Sequence, residues 1–152
     1  GNEFTRTVMG VTHGFRTALF PRKRGIMRLW AVLPAYNEAK NLGVIFDGFR
    51  EVQSESRGLD LRIVLVDDGS TDGTPETARA AGEGLNLEVL VNERNLGLAE
   101  TFMRGLTHAV RLAQDDDVIV CMDADGSLSC MDSLLRRYMI GNAVREPARC
   151  GG

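Results

Sequence analysis

A chain of 152 residues is long enough for one domain, which would bury about 70% of the surface its unfolded form exposes, and so for one core. Hydrophobic residues make up 43% and charged residues 26%, which excludes disordered, collagenous and membrane-spanning compositions. The net charge of -3 excludes a global basic field for holding nucleic acid, so any polyanionic ligand must be met locally.

The first 26 residues stand apart. They carry Arg6, Arg16, Arg22, Lys23 and Arg24 against the single acid Glu3, and Val8, Val11, Phe15 and Leu19 recur at helical spacing. The segment 1–26 reads as a disordered basic extension ahead of Met27, or as a weak amphipathic arm that could rest on an anionic membrane surface. No stretch approaches the roughly 20 consecutive apolar residues of a membrane-spanning helix.

From Arg28 the pattern is regular, and residues 27–140 read as one domain. Short apolar runs at Leu29–Leu33, Leu61–Val66, Leu87–Val91 and Val118–Met122 each end in polar or acidic residues. None has a polar alternate face, so each is expected to be covered on both sides, as in a parallel sheet between helix layers. Helices are predicted at Ala39–Gln53, Pro75–Gly82, Leu98–Gln114 and Met131–Tyr138. Thr74 is placed to cap the second, with Pro75 at its first position and Gly82 at its end. In the third, Phe102, Leu106, Ala109, Val110 and Ala113 trace one buried stripe, which leaves His108 as a solvated residue. The fold class is therefore α/β, a three-layer α/β/α arrangement about a mainly parallel sheet. Residues 141–152 have Pro147, two arginines and no apolar period, and read as a frayed tail; a four-stranded sheet would leave its last strand as an open edge.

Cys121, Cys130 and Cys150 form no C-x-x-C pair, and neither His13 nor His108 is at ligand spacing. Neither a zinc site nor a disulfide is predicted, and reduced thiols fit a cytoplasmic setting. Cys121 lies in an apolar run and is expected in the core.

In open parallel sheets ligands bind beyond the carboxyl ends of the strands, so the residues after each run carry the functional question. They read Pro34-Ala35-Tyr36-Asn37-Glu38, then Asp67-Asp68-Gly69-Ser70-Thr71-Asp72-Gly73-Thr74, then Asp123-Ala124-Asp125-Gly126, with Asn92-Glu93-Arg94-Asn95 after the third run. Asp123 and Asp125, two apart in an extended segment, point to one side while Ala124 points to the other. Such a pair suits a hard cation, Mg²⁺ or Mn²⁺, shared with the phosphates of a nucleoside diphosphate, or else ordinary solvated turn chemistry. The Asp67–Thr74 stretch is rich in turn formers, but turn chemistry explains less well why two adjacent aspartates end a buried strand. Tyr36 is either a loop aromatic on the core edge or a ring beside a nucleobase. Pro34 and Glu38 are a strand-ending proline and a helix-start acid, or nucleoside contacts.

Taken together, Val-Leu-Pro-Ala-Tyr-Asn-Glu, Val-Asp-Asp-Gly-Ser-Thr-Asp-Gly-Thr, Asn95-Leu96-Gly97 with Gly105, and Met-Asp-Ala-Asp resemble, in order and spacing, the family 2 glycosyltransferases of GT-A type. The resemblance covers about Arg28 to Gly126 and is closest to the dolichol- or polyprenyl-phosphate mannosyltransferase-like branch. It implies the N-terminal half of a nucleotide-diphospho-sugar transferase. By that resemblance Pro34, Tyr36 and Glu38 line the nucleoside, Val66 and Asp68 contact base or ribose, and Asp123, Ala124 and Asp125 hold the diphosphate and metal. Asp123 and Asp125 are the implied metal ligands, and Asp67 ranks below Asp68. The implied donor is a UDP- or GDP-sugar, and the implied acceptor a lipid phosphate or glycan, at the cytoplasmic face of a membrane where the acceptor is a lipid. The sequence names no catalytic base. After Gly126, Ser127-Leu128-Ser129-Cys130-Met131 replaces the family's usual proline- and histidine-containing segment, and the acceptor half has no counterpart before Gly152. The resemblance thus predicts a chain cut after the D-x-D, with an inactive fragment as one alternative. A receiver-type phosphoacceptor domain is the other, although no lysine follows a strand after Asp67 and Pro34–Glu38 would have no role in it. A dinucleotide-binding oxidoreductase lacks its G-x-G-x-x-G after the first strand.

Overall fold

The computed structural model describes residues 8–10, 27–56, 58–122 and 124. In chain order the elements are β1 Val8–Gly10, β2 Met27–Ala35, α1 Ala39–Glu55, β3 Leu59–Asp67, α2 Thr74–Ala81, β4 Asn86–Val91, α3 Leu98–Leu112 and β5 Val118–Cys121. Among the described residues the five strands form one sheet in the order β1-β5-β2-β3-β4, every neighbouring pair parallel.

Alternation along β2 and β3 divides the core into two layers. Leu29, Ala31, Leu33 and Ala35, with Leu59, Leu61, Ile63 and Leu65, face α1 and α2, where Leu42, Ile45, Phe46, Phe49 and Val52 supply the helical side. Trp30, Val32, Val64 and Val66 face the other way, against Ala109 of α3 and Ala113 just past its end, with Phe102, Leu106 and Val110 beside them. Both faces of the central strands are buried, which is why their sequences are unbroken apolar runs. Each fully buried Leu, Ile or Phe contributes about 1.5–3 kcal/mol of transfer free energy. Cys121 belongs to the α3-side layer, and burial pushes its thiol up to about 12. Gly105 sets how closely α3 approaches the sheet, because a Cβ there would lie 2.6 Å from Val32 Cγ1 and 2.8 Å from Val66 Cγ2.

Four expectations need correction. The run at Leu87–Val91 is covered only in part: β4 is a sheet edge, with Asn86, Glu88 and Val91 exposed, Leu87 and Val89 half-buried on the α1–α2 side and Leu90 half-buried on the α3 side. His108 is not a free solvated residue, since its Nε2 lies 2.7 Å from Glu88 Oε2 on that edge strand. Thr74 does not cap its own helix; Gly73 occupies the cap position in a left-handed conformation, and the Thr74 hydroxyl is turned to other partners. Within segment 1–26, the described residues Val8–Gly10 are a strand along β5, register Val8↔Ile119 to Gly10↔Cys121, not a helical arm. The unpaired N–H and C=O groups of an open β5 edge are the physical reason a passing segment pairs there. The helix expected at Met131–Tyr138 and the tail 141–152 lie outside the described residues.

Candidate functional site

The chain lays down β2, β3 and β4 side by side and then returns to place β5 against the opposite edge of β2. That reversal makes the carboxyl end of β2, between β3 and β5, the topological switch point where open α/β sheets form their ligand crevice. The polar loops singled out in the sequence open from this end: Tyr36–Glu38 after β2 and Asp67–Gly73 at the end of β3, with Met122 and Ala124 following β5.

Pro34 and Val66 are cross-strand partners and both are buried, Val66 in the α3-side layer. The Val32 carbonyl accepts from Met122 N–H and the Ala35 carbonyl from Asp68 N–H, so alternate β2 residues bond to β5 and to β3. Pro34 falls on the β5 side, beyond the last paired residue Cys121, where its missing N–H costs the ladder nothing. Tyr36 follows, 49% exposed on the rim. Asn37 then turns the chain with φ 53, and the half-buried Glu38 accepts from Asn41 Nδ2 at 2.6 Å.

The two adjacent aspartates part company. Asp68 is 4% exposed and directed inward: Oδ1 accepts from Leu96 N–H at 2.7 Å and from Asn92 Nδ2 at 3.0 Å, and Oδ2 from Gly97 N–H at 3.0 Å. Burial would raise its carboxyl, but these donors and the Thr101 hydroxyl outweigh it and hold the group below the ordinary carboxylate range. Asn92 completes the knot, donating also to Thr101 Oγ1 at 3.0 Å and accepting from Arg104. Gly69 lets the two loops touch, since at φ 71 a Cβ would meet the Arg94 carbonyl carbon at 2.5 Å. Asp67 is 1% exposed; its Oδ2 accepts from Ser70 N–H at 3.1 Å, while Oδ1 has no partner among the described residues.

Asp123 and Asp125 lie outside the described residues. Their neighbours Met122 and Ala124, the latter 3% exposed, both pack in the α1-side core layer. Among the described residues no cluster of three His, Cys, Asp or Glu side chains forms a metal site. A groove of about 620 Å³ runs along the outer side of α3 beside Leu90 and Leu96, and none of the expected site residues lines it.

In the sequence Ser70 and Asp72 read only as turn formers and Thr74 as a helix cap. In the structure they are acceptors for the β2–α1 loop: Ser70 Oγ takes Asn37 N–H, Thr74 Oγ1 takes Glu38 N–H and Asp72 Oδ2 takes Ala39 N–H. Their spacing of two, opposite three consecutive N–H groups, was the available signal.

Glycosyl transferase family 2 matches residues 30–135. Dolichol-phosphate mannosyltransferase of Pyrococcus furiosus is 33% identical over 99 residues, 65% of this chain and 26% of the relative. Undecaprenyl-phosphate mannosyltransferase of Micrococcus luteus is 34% identical over 102 residues, 66% of this chain and 39% of the relative. The chain thus spans well under half the length of these relatives. Mannosyl-3-phosphoglycerate synthase from Rubrobacter xylanophilus superposes with TM-score 0.52 at 28% identity, covering 65% of this chain and 31% of that one. A mannosyltransferase from Pyrobaculum calidifontis, solved in complex with GDP-Man and Mn²⁺, superposes with TM-score 0.54 over 87% of this chain and 37% of its own, and at 24% identity it speaks for the fold alone. With the parallel sheet, its switch point and the matched loops in agreement, this chain belongs to glycosyl transferase family 2.

Proposed function

We propose that this chain binds a nucleoside-diphospho-sugar, with a UDP or GDP leaving group, in the crevice at the carboxyl ends of β2, β3 and β5. The observation that carries the reading is the return of β5 to the side of β2, which brings the Tyr36 loop, Met122 and Ala124 to one switch point. Pro34, Tyr36 and Glu38 are assigned to the nucleoside side. Tyr36, standing exposed on the rim, is the ring available for stacking on a base. Val66 forms the buried floor. Asp68 is assigned to the base and ribose side, chiefly through the β4–α3 loop that its carboxylate holds.

Asp123 and Asp125, with the Ala124 backbone between them, are assigned to the diphosphate and a Mg²⁺ or Mn²⁺ ion. What supports this is the sequence spacing, two carboxylates two residues apart, on either side of Ala124, which is buried in the α1-side layer. Paired carboxylates are the donor chemistry these hard cations take together with phosphate oxygens. Such an ion, when bound, neutralises charge developing on a departing diphosphate.

For the complete protein we propose transfer of the sugar, mannose by analogy with the relatives, to a polyprenyl phosphate or a glycan. A lipid-phosphate acceptor would bring the protein to the cytoplasmic face of a membrane, with segment 1–26 as a basic peripheral contact. No helix among the described residues is long and apolar enough to cross a membrane.

Calorimetric titration of GDP and UDP into the chain, with and without Mn²⁺, tests the donor site. Binding of one nucleotide that requires the cation and disappears in Asp125→Ala is expected. No binding of either nucleotide with Mn²⁺ present would overturn the reading.

A further inference from the structure

The loop after β3 acts as a template for the loop after β2. Its three acceptors, Ser70, Asp72 and Thr74, meet the N–H groups of Asn37, Ala39 and Glu38 at 2.9, 3.1 and 3.0 Å respectively. Asn37 answers by accepting from Thr71 N–H at 2.9 Å. The order of bonds is crossed, since Thr74 takes Glu38 while Asp72 takes Ala39. The Thr74 hydroxyl donates its own proton to Asp72 Oδ1, which also accepts from Thr74 N–H at 3.0 Å. One carboxylate therefore lies at the N-terminal ends of two helices, α1 at Ala39 and α2 at Thr74, where the partial positive charge of each favours an anion. Glu38, at the cap position of α1, gives that helix no side-chain cap of its own. The Thr74 hydroxyl first, and the Ala39 and Thr74 N–H groups against slight desolvation, hold the Asp72 carboxyl below its ordinary range.

These bonds fall immediately after Tyr36. Asn37 sits in the left-handed region at φ 53, which Asn enters more readily than most residues, and the bonds that Ser70, Thr71, Asp72 and Thr74 make to Asn37, Glu38 and Ala39 hold the turn there. We propose that Asp72 is a positioning residue: through Ala39 and Thr74 it fixes the turn at Asn37 and so the stand of Tyr36 on the rim, in the conformation that receives the nucleoside. The last clause rests on the donor-site reading; the positioning itself does not.

The test uses the full chain labelled with 3-fluorotyrosine. Tyr36 and Tyr138 are the two tyrosines, so Tyr36→Phe identifies the Tyr36 fluorine resonance. In Asp72→Ala that resonance is expected to move or broaden, and nucleotide affinity with Mn²⁺ to fall about tenfold, the scale of a lost helix cap. In a Tyr36→Ala background the same substitution should change affinity by less than about twofold, because coupled residues are not additive. Asp72→Asn keeps one acceptor oxygen and should fall between, and it takes the place of Asp72→Ala throughout if that variant does not fold. An unchanged Tyr36 resonance, or an affinity loss of equal size with and without Tyr36, overturns the proposal and leaves Asp72 a plain helix cap. If the wild-type chain binds neither nucleotide, the donor-site reading fails separately. The fluorine spectrum then decides the positioning: a moved Tyr36 resonance upholds it and an unmoved one ends it.

Discussion

The Asp68 carboxylate accepts a hydrogen bond from the backbone N–H of Leu96 at 2.7 Å, across 28 residues of chain. With Gly97 N–H on its other oxygen, it closes the start of α3 onto the end of β3. A residue that reads as a ligand contact in the sequence is thus also the fastening between two rim loops.

Removing that fastening leaves several buried donors unsatisfied. Asp68→Ala is expected to lower unfolding free energy by about 3 kcal/mol, the scale for buried hydrogen bonds to a charged group. Urea unfolding measures it, and a loss below about 0.5 kcal/mol would place the carboxylate outside the stabilising network.

The same group sets a pH dependence. Its folded pKa lies below the ordinary value of 3.8, so between the two the unfolded chain binds more protons and stability rises with pH. The contribution is complete above 3.8 and is lost as pH falls through the lower folded value. Melting temperatures of wild type and Asp68→Asn, compared from about pH 6 to about pH 2, should converge at the acid end. Parallel curves would rule the linkage out.

Two glycines in helices should respond in opposite directions. Gly105→Ala forces a methyl group to within 2.6 Å of Val32 Cγ1 and should destabilise by about 1–3 kcal/mol of overpacking, less about 1 kcal/mol of helix propensity. Gly43 is exposed on α1, and a methyl group added there would have nothing within 4 Å, so Gly43→Ala should stabilise by about 0.5–1 kcal/mol. Thermal melts of the pair check both signs, and a stabilised Gly105→Ala would contradict the close α3–sheet contact.

At the opposite end of the sheet, Asp117 Oδ2 accepts from Trp30 Nε1 and from Gln114 N–H, each at 2.9 Å. Trp30 is the single tryptophan, and the Arg62 guanidinium lies 5.5 Å from its ring centroid. Asp117→Ala should cost about 1–3 kcal/mol and shift the tryptophan emission. Unchanged emission with unchanged stability would show that the indole has another acceptor.

The apolar runs and helical periods of this chain already determine its α/β character, the four strands from Arg28 onward and the helices between them. Burial on both faces of a parallel sheet requires unbroken runs such as Leu61–Val66, a signal carried within a few neighbouring residues. That Pro34, Tyr36, Glu38 and Asp68 fall at strand ends was legible for the same reason. Only tertiary structure decided that β5 lies beside β2, that β4 is an edge, and that Val8–Gly10 pairs along β5. It alone also turned Asp68 toward Leu96 and Asp72 toward Ala39, partners 28 and 33 residues away. Periodicity reports which face a side chain takes; which donors await it there depends on the strand ends that folding brings together.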